Sequence, residues 1–186
     1  VDAVFQQLYE KYHQDLFQFL LYMVRNRELA EDLLQEVYIR VLKSHEHFEG
    51  KSHEKTWLFA IARNTAIDHF RKQKNWKQKI LDVFDWNKTP LVDNMPLPEE
   101  VAMQKEEIQR IYVCLEKCTV NQRAVIILRY IQSLSIAETA QVLGWTESKV
   151  KTTQHRAIQV LRRKMEKWSS REEGGDKHET MGKKAN

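Results

Sequence analysis

Ser148, Lys149, Thr152, His155 and Arg156 recur at helical spacing and, with Gln159 and Arg163, fall on one side of a helix turning about 100° per residue. Val150, Ala157, Ile158, Leu161, Met165 and Trp168 gather on the other side. Lys151, Arg162, Lys164 and Lys167 add further positive charge, against only Glu147 and Glu166. Cations neutralise phosphates, while hydroxyl, amide and imidazole groups near a helix N-terminus can hydrogen-bond base edges in a major groove. The chemistry on offer is therefore sequence-dependent DNA binding. A solvated basic face on an ordinary core helix would carry the same charges, so the elements that position this helix must decide.

Those elements are specific. Ser135 and Glu138 have capping-box spacing, each able to bond a backbone N–H left free in the first turn, so a helix should start at Ile136. Gly144 suits a position of positive φ past its end. Thr146 can cap the next helix, with Glu147 in its positive first turn. Ala140 fits a close helix crossing, and Leu143, Trp145 and Val150 can fill the angle between the helices. Short helix, tight turn and longer cationic helix make a helix-turn-helix.

The first half reads as a helical bundle. Apolar periodicity predicts helices over 3–25, 28–44 and 54–74. The second carries a polar patch of Glu28, Asp32, Gln35 and Glu36, which charge alone would leave as a solvated acidic face. The third and its continuation are cationic: Lys55, Arg63, Arg71, Lys72, Lys74, Lys77 and Lys79 outweigh Glu54 and Asp68. Trp57, Phe59, Phe70 and Trp76 are interleaved with them. Most of these rings are expected in the core, yet cations edged by aromatic rings also suit single-stranded nucleic acid, whose unpaired bases stack on rings.

The 186 residues carry a formal net charge of +4, and 42% are hydrophobic, enough for one or two small cores. Only five glycines and three prolines occur, and no stretch alternates with period two. The expected fold is all-α: two small helical domains joined by an irregular linker, the second a helix-turn-helix. The boundaries expected are 1–75, a linker over 76–98 that holds every proline, 99–168, and a disordered tail over 169–186. Helical periodicity resumes near residue 99 and continues to 115, followed by a short, very apolar helix. No run approaches the roughly 20 apolar residues of a membrane span. Cys114 and Cys118 lack companions for a metal site and read as structural thiols of a reduced, cytoplasmic protein. Neither a cofactor nor a metal is expected, and the common nucleotide-binding, zinc-protease and serine-hydrolase motifs are missing, which argues against an enzyme.

Three stretches, AEDLLQEVYIRVLK, TWLFAIARNTAIDHFRK and SIAETAQVLGWTESKVKTTQHRA, resemble extracytoplasmic-function sigma factors of bacterial RNA polymerase, in the family's order and across residues 5 to 166. The likeness is to the envelope-stress group of Bacillus-type bacteria. It implies that Asp32, Gln35 and Glu36 contact the clamp helices of the largest subunit of core RNA polymerase. It further implies that Phe48, Lys55, Thr56, Trp57 and Asn64 melt the minus-ten element and capture a flipped base, while Arg63 and Arg71 hold phosphates. Ser148, Lys149, Lys151, Thr152, His155 and Arg156 would read the minus-thirty-five duplex of promoter DNA. A membrane-bound anti-sigma factor is the implied regulator, and no stable homo-oligomer is expected. The competing reading is a conventional helix-turn-helix regulator, which leaves the acidic helix and the cationic, aromatic helix without a task.

Overall fold

The computed structural model describes residues 2–44, 53–81 and 97–175. Among them every regular element is helical. The first three helices, α1 (Asp2–Val24), α2 (Arg27–Ser44) and α3 (Glu54–Leu81), pack on one another as the periodicity predicts. Leu8, Tyr12, Leu16, Phe19, Leu20 and Met23 of α1 meet Ala30, Leu33, Leu34, Val37 and Val41 of α2 and Leu58, Phe59, Ala62 and Ala66 of α3 in the core. Phe19 and Phe59 cross edge to face at 5.4 Å. Arg25 leaves α1 at a φ of 56°, and the Asn26 side chain then caps α2 by accepting from the Leu29 N–H at 2.8 Å. Arg40 joins α2 to α3, donating to Glu36 at 2.6 Å and to Asp68 at 3.1 Å.

α3 runs to Leu81, beyond the expected end near residue 74, because no Gly or Pro stops it there. Most of the expected linker, 82–96, lies outside the described residues. The single helix expected over 99–115 is instead two, α4 (Glu99–Ala102) and α5 (Glu106–Cys114), followed by a tight turn at Leu115–Lys117. The Gln109 side chain stabilises the break by donating to the carbonyls of Ala102 and Gln104 at 2.9 and 2.8 Å. Periodicity is blind to such a bond.

The apolar helix that follows is α6 (Val120–Ile126), with a capping box of Thr119 and Gln122. It opens into a wide π-type turn at Ile127–Ile131, where the Gln132 N–H donates to the Ile127 carbonyl at 2.9 Å. α7 (Ile136–Leu143) and α8 (Glu147–Gly175) complete the fold. α8 continues past the expected end at Trp168, since the residues after it do not break a helix until the paired glycines. Cys114 and Cys118 are buried and free, and burial pushes the Cys118 thiol up to about 11, which suits structural residues.

The two halves share one apolar core. α7 lies against α3, and α1 lies against α6 and the π-type turn. Tyr22 and Tyr112 meet edge to face at 5.2 Å in the seam, and Arg27 reaches Glu100 at 2.9 Å. No described helix is long and apolar enough to cross a membrane.

Candidate nucleic-acid and polymerase interfaces

The helix-turn-helix forms as its residues dictate. Ser135 Oγ accepts from the Glu138 N–H at 3.1 Å, and the Glu138 carboxylate accepts from the Ser135 N–H at 2.6 Å. The Ser135 N–H donating to the carboxylate, and then the Ser135 hydroxyl beside it, hold the Glu138 carboxyl below the usual carboxylate range. Gly144 adopts a φ of 65°, and Thr146 Oγ1 accepts from the Lys149 N–H at 3.3 Å. Val150, Ala157 and Leu161 are buried on the inner side of α8. Ser148, Lys149, Lys151, Thr152, His155 and Arg156 are all exposed on its outer surface. The Lys149 ammonium rests 4.2 Å over the Trp145 ring, and His155 pairs with Gln159 at 3.1 Å. Lys149, Lys151 and Arg156 form no ion pair with a described residue, so their charge is available to a polyanion.

On α2, Asp32 and Gln35 are exposed, whereas Glu36 is half-buried and tied to Arg40. The patch is thus less uniform than its composition suggests. Ile39 and Leu42 stand beside it, 52% and 44% exposed. Sequence reasoning missed this pair, although both lie off the stripe formed by Ala30, Leu33, Leu34, Val37 and Val41, which is the signal that could have found them. On the α1 side, a groove of about 530 Å³ runs past Tyr9, His13, Phe17, Gln35 and Tyr38. Tyr38 and His13 are hydrogen-bonded there at 3.1 Å, and the Tyr9 and His13 rings lie 4.5 Å apart. Acid, amide and apolar groups side by side make a surface suited to a protein partner.

Along α3 the expected DNA residues divide into two groups. Phe48 lies outside the described residues. Lys55 is not free: its ammonium donates to the Gln132 carbonyl at 3.1 Å and sits 3.7 Å from the Asp15 carboxylate. Thr56 is buried and donates to the His53 carbonyl at 2.8 Å, and Trp57 is half-buried. About 12 Å further along the axis, eight residues at 1.5 Å each, the helix presents Arg63 and Asn64. Asn64 is exposed and accepts from Arg63 at 3.0 Å. The Arg63 Nε is buried without a hydrogen-bond partner among the described residues. Burial, and then the nearby Arg71 charge, lower the Arg63 pKa. Arg71 is exposed and lies 3.9 Å from Asp68, which already serves Arg40. Two guanidiniums close enough to repel form a place where a phosphate would relieve the repulsion.

Comparison with known proteins accords with this geometry. The family description "Sigma-70 region 2" matches residues 8–75 and "Sigma-70, region 4" matches residues 108–161. The chain is 58% identical over 166 residues to the ECF RNA polymerase sigma factor SigX of Bacillus subtilis (strain 168), covering 89% of this chain and 86% of that one. It is 32% identical over 168 residues to the RNA polymerase sigma factor YlaC of the same organism, covering 90% and 94%. Its fold is similar to that of the sigma factor RpoE, solved with the anti-sigma factor NepR from Bartonella quintana: the TM-score is 0.68 at 23% identity, over 87% of this chain and 96% of that one. The chain therefore belongs to the extracytoplasmic-function sigma factors of RNA polymerase.

Proposed function

We propose that this alternative sigma factor, which directs promoter-specific transcription and has no catalytic activity of its own, divides that task between an α2 face and two cationic surfaces. Asp32, Gln35 and Glu36, with Ile39 and Leu42 beside them, dock on the clamp helices of the largest polymerase subunit. Ser148, Lys149, Lys151, Thr152, His155 and Arg156 read the minus-thirty-five duplex in its major groove. Arg63 and Arg71 hold phosphates of the melted minus-ten strand, and Asn64 with the N-terminal residues of α3 captures an unpaired base. Taking a base out of the stack costs a few kcal/mol, which a pocket and a stacking surface offset.

The observation that supports this reading best is the opposite chemistry of exposed faces on one chain: acidic and apolar on α2, cationic on α3 and α8. A regulator that only binds DNA has no use for the first. The reading further places the protein in the cytoplasm, as a monomer when free, under a membrane-bound anti-sigma factor. RpoE, which shares its fold, was solved in complex with an anti-sigma factor, NepR.

The test is the double substitution Asp32→Ala with Glu36→Ala. Glu36 contributes a half-exposed i,i+4 pair with Arg40 to the fold, worth roughly 0.3–0.5 kcal/mol, so helicity should be unchanged. Capture of core polymerase at moderate salt should fall about tenfold or more, the loss of one or two charge-assisted contacts. Undiminished capture with normal helicity would leave the patch merely solvated.

A further inference from the structure

Trp145 occupies the turn between α7 and α8, and both of its neighbours fix it there. Gly144 takes the left-handed conformation that ends α7, and the Trp145 N–H donates back to the Ala140 carbonyl at 2.9 Å. Thr146 then caps α8, so the chain on either side of the ring has little freedom. The Trp145 ring packs against the apolar core yet remains half-exposed. Over it, 4.2 Å from the ring centre, lies the ammonium of Lys149 in the first turn of α8. Among the described residues no aromatic ring holds Lys151 or Arg156 in this way.

A lysine in this place carries two costs. Its charge faces the positive end of the α8 dipole, and its flexible four-carbon stem samples many rotamers. The ring offsets the first, because the negative face of an indole attracts an ammonium more strongly than the rings of Tyr and Phe do. It reduces the second by tethering the ammonium to a group that the core already holds. The donors directed away from the ring remain free, since Lys149 forms no ion pair with a described residue. The N-terminal residues of a recognition helix are those that meet base edges in the major groove, and lysine there pairs with guanine O6 and N7. An untethered lysine would instead follow the nearest phosphate, which carries no sequence information.

We propose that Trp145 is a positioning residue for promoter reading: it holds the Lys149 ammonium at the N-terminal end of α8, aimed at a guanine of the minus-thirty-five duplex. This deepens the reading of α8 given above and rests on it. Trp145 thereby sets the preference at one base pair, while the overall attraction to DNA comes from charges that the ring does not alter.

The test uses holoenzyme, the full chain bound to core polymerase. A promoter recovered by transcription of genomic fragments is rebuilt with its upstream element randomised, and the bound duplexes are sequenced. Trp145→Leu removes the ring and keeps apolar packing, Trp145→Phe keeps a weaker ring, Lys149→Met removes the ammonium, and Arg156→Ala probes the rest of the face. Wild type should enrich guanine at one position of the element, and Lys149→Met should abolish that preference. Trp145→Leu should cut it about fivefold or more, while the salt dependence of binding stays unchanged because no charge is lost. Trp145→Phe should fall between. In a Lys149→Met background neither change at Trp145 should cost anything further, as a coupled pair requires. Should thermal melts show that Trp145→Leu does not fold, Trp145→Phe carries the test: a partial loss at that one position is expected, and an unchanged preference overturns the proposal. A loss spread over every position, or one that persists in the Lys149→Met background, makes Trp145 a structural turn residue and also overturns it. Selection altered by Arg156→Ala but not by Lys149→Met or Trp145→Leu overturns the role of Trp145 and leaves the reading of α8 intact. Selection indifferent to both Arg156→Ala and Lys149→Met refutes that reading itself.

Discussion

Arg63→Met separates the cost of a cation to the fold from its use on DNA. Methionine keeps an unbranched apolar stem against α3 and discards the guanidinium. The wild-type Nε is buried and unpaired, and a polar group left so costs about 1–3 kcal/mol. Against this, the bond to Asn64 at 3.0 Å contributes about 0.5–1.5 kcal/mol. Relief of repulsion from Arg71 adds to the first side. The balance is a net stabilisation near 1 kcal/mol, or a Tm rise of roughly 2–4 °C for a chain of this length. The same change should weaken open complexes. One phosphate contact to a single strand contributes about 0.7 to the slope of log K against log salt, so the slope should flatten by about that amount. Scanning calorimetry of the free chain and open-complex affinity across a salt series measure the two effects. An unchanged salt slope would show that Arg63 holds no phosphate, and a lower Tm would show that its guanidinium stabilises the fold.

Two further predictions concern single residues. Asn64→Ala should still form holoenzyme and closed complexes, because α2 and α8 carry those contacts, but should lose permanganate reactivity in the minus-ten region and shorten open-complex lifetime even on a pre-opened bubble; wild-type opening would remove base capture from α3. Glu138 carries a folded pKa below its unfolded value near 4.5, so its charge contributes stability present above that value and lost as pH falls through the folded pKa. Glu138→Gln keeps the cap geometry without the charge, and should therefore lower stability by about 0.3–1 kcal/mol at pH 7 and by nothing near pH 3. A difference that persists at pH 3, read from thermal melts, would contradict this.

The parts of the fold legible in the sequence are those set by local chemistry. Ser135 with Glu138, Gly144 and Thr146 act on neighbours within a few residues, so the boundaries of α7 and the start of α8 emerge from types and spacing alone. The stripe on α2 was legible for the same reason. The break between α4 and α5 was not, because Gln109 makes it through bonds that leave the apolar period undisturbed. Lys55 and Arg63 show the limit most clearly. Both read as cations on one helix, but Lys55 is engaged by a residue 77 positions away while Arg63 has an unused donor. Contacts at such separation leave no periodic trace. The candidate site was therefore legible as a set of residue types, and its division into covered and open groups only in the folded chain.

The most direct measurement of the central claim is reconstituted transcription. Purified chain is added to core RNA polymerase from a Bacillus-type bacterium with fragmented DNA of the same organism, and the 5′ ends of the transcripts are sequenced. The account predicts discrete start sites, absent with core enzyme alone, that share one upstream duplex motif and one minus-ten motif, and whose use falls with Arg156→Ala and with Asp32→Ala plus Glu36→Ala. Start sites identical to those of core enzyme alone, or a shared pattern indifferent to all of these substitutions, would contradict it.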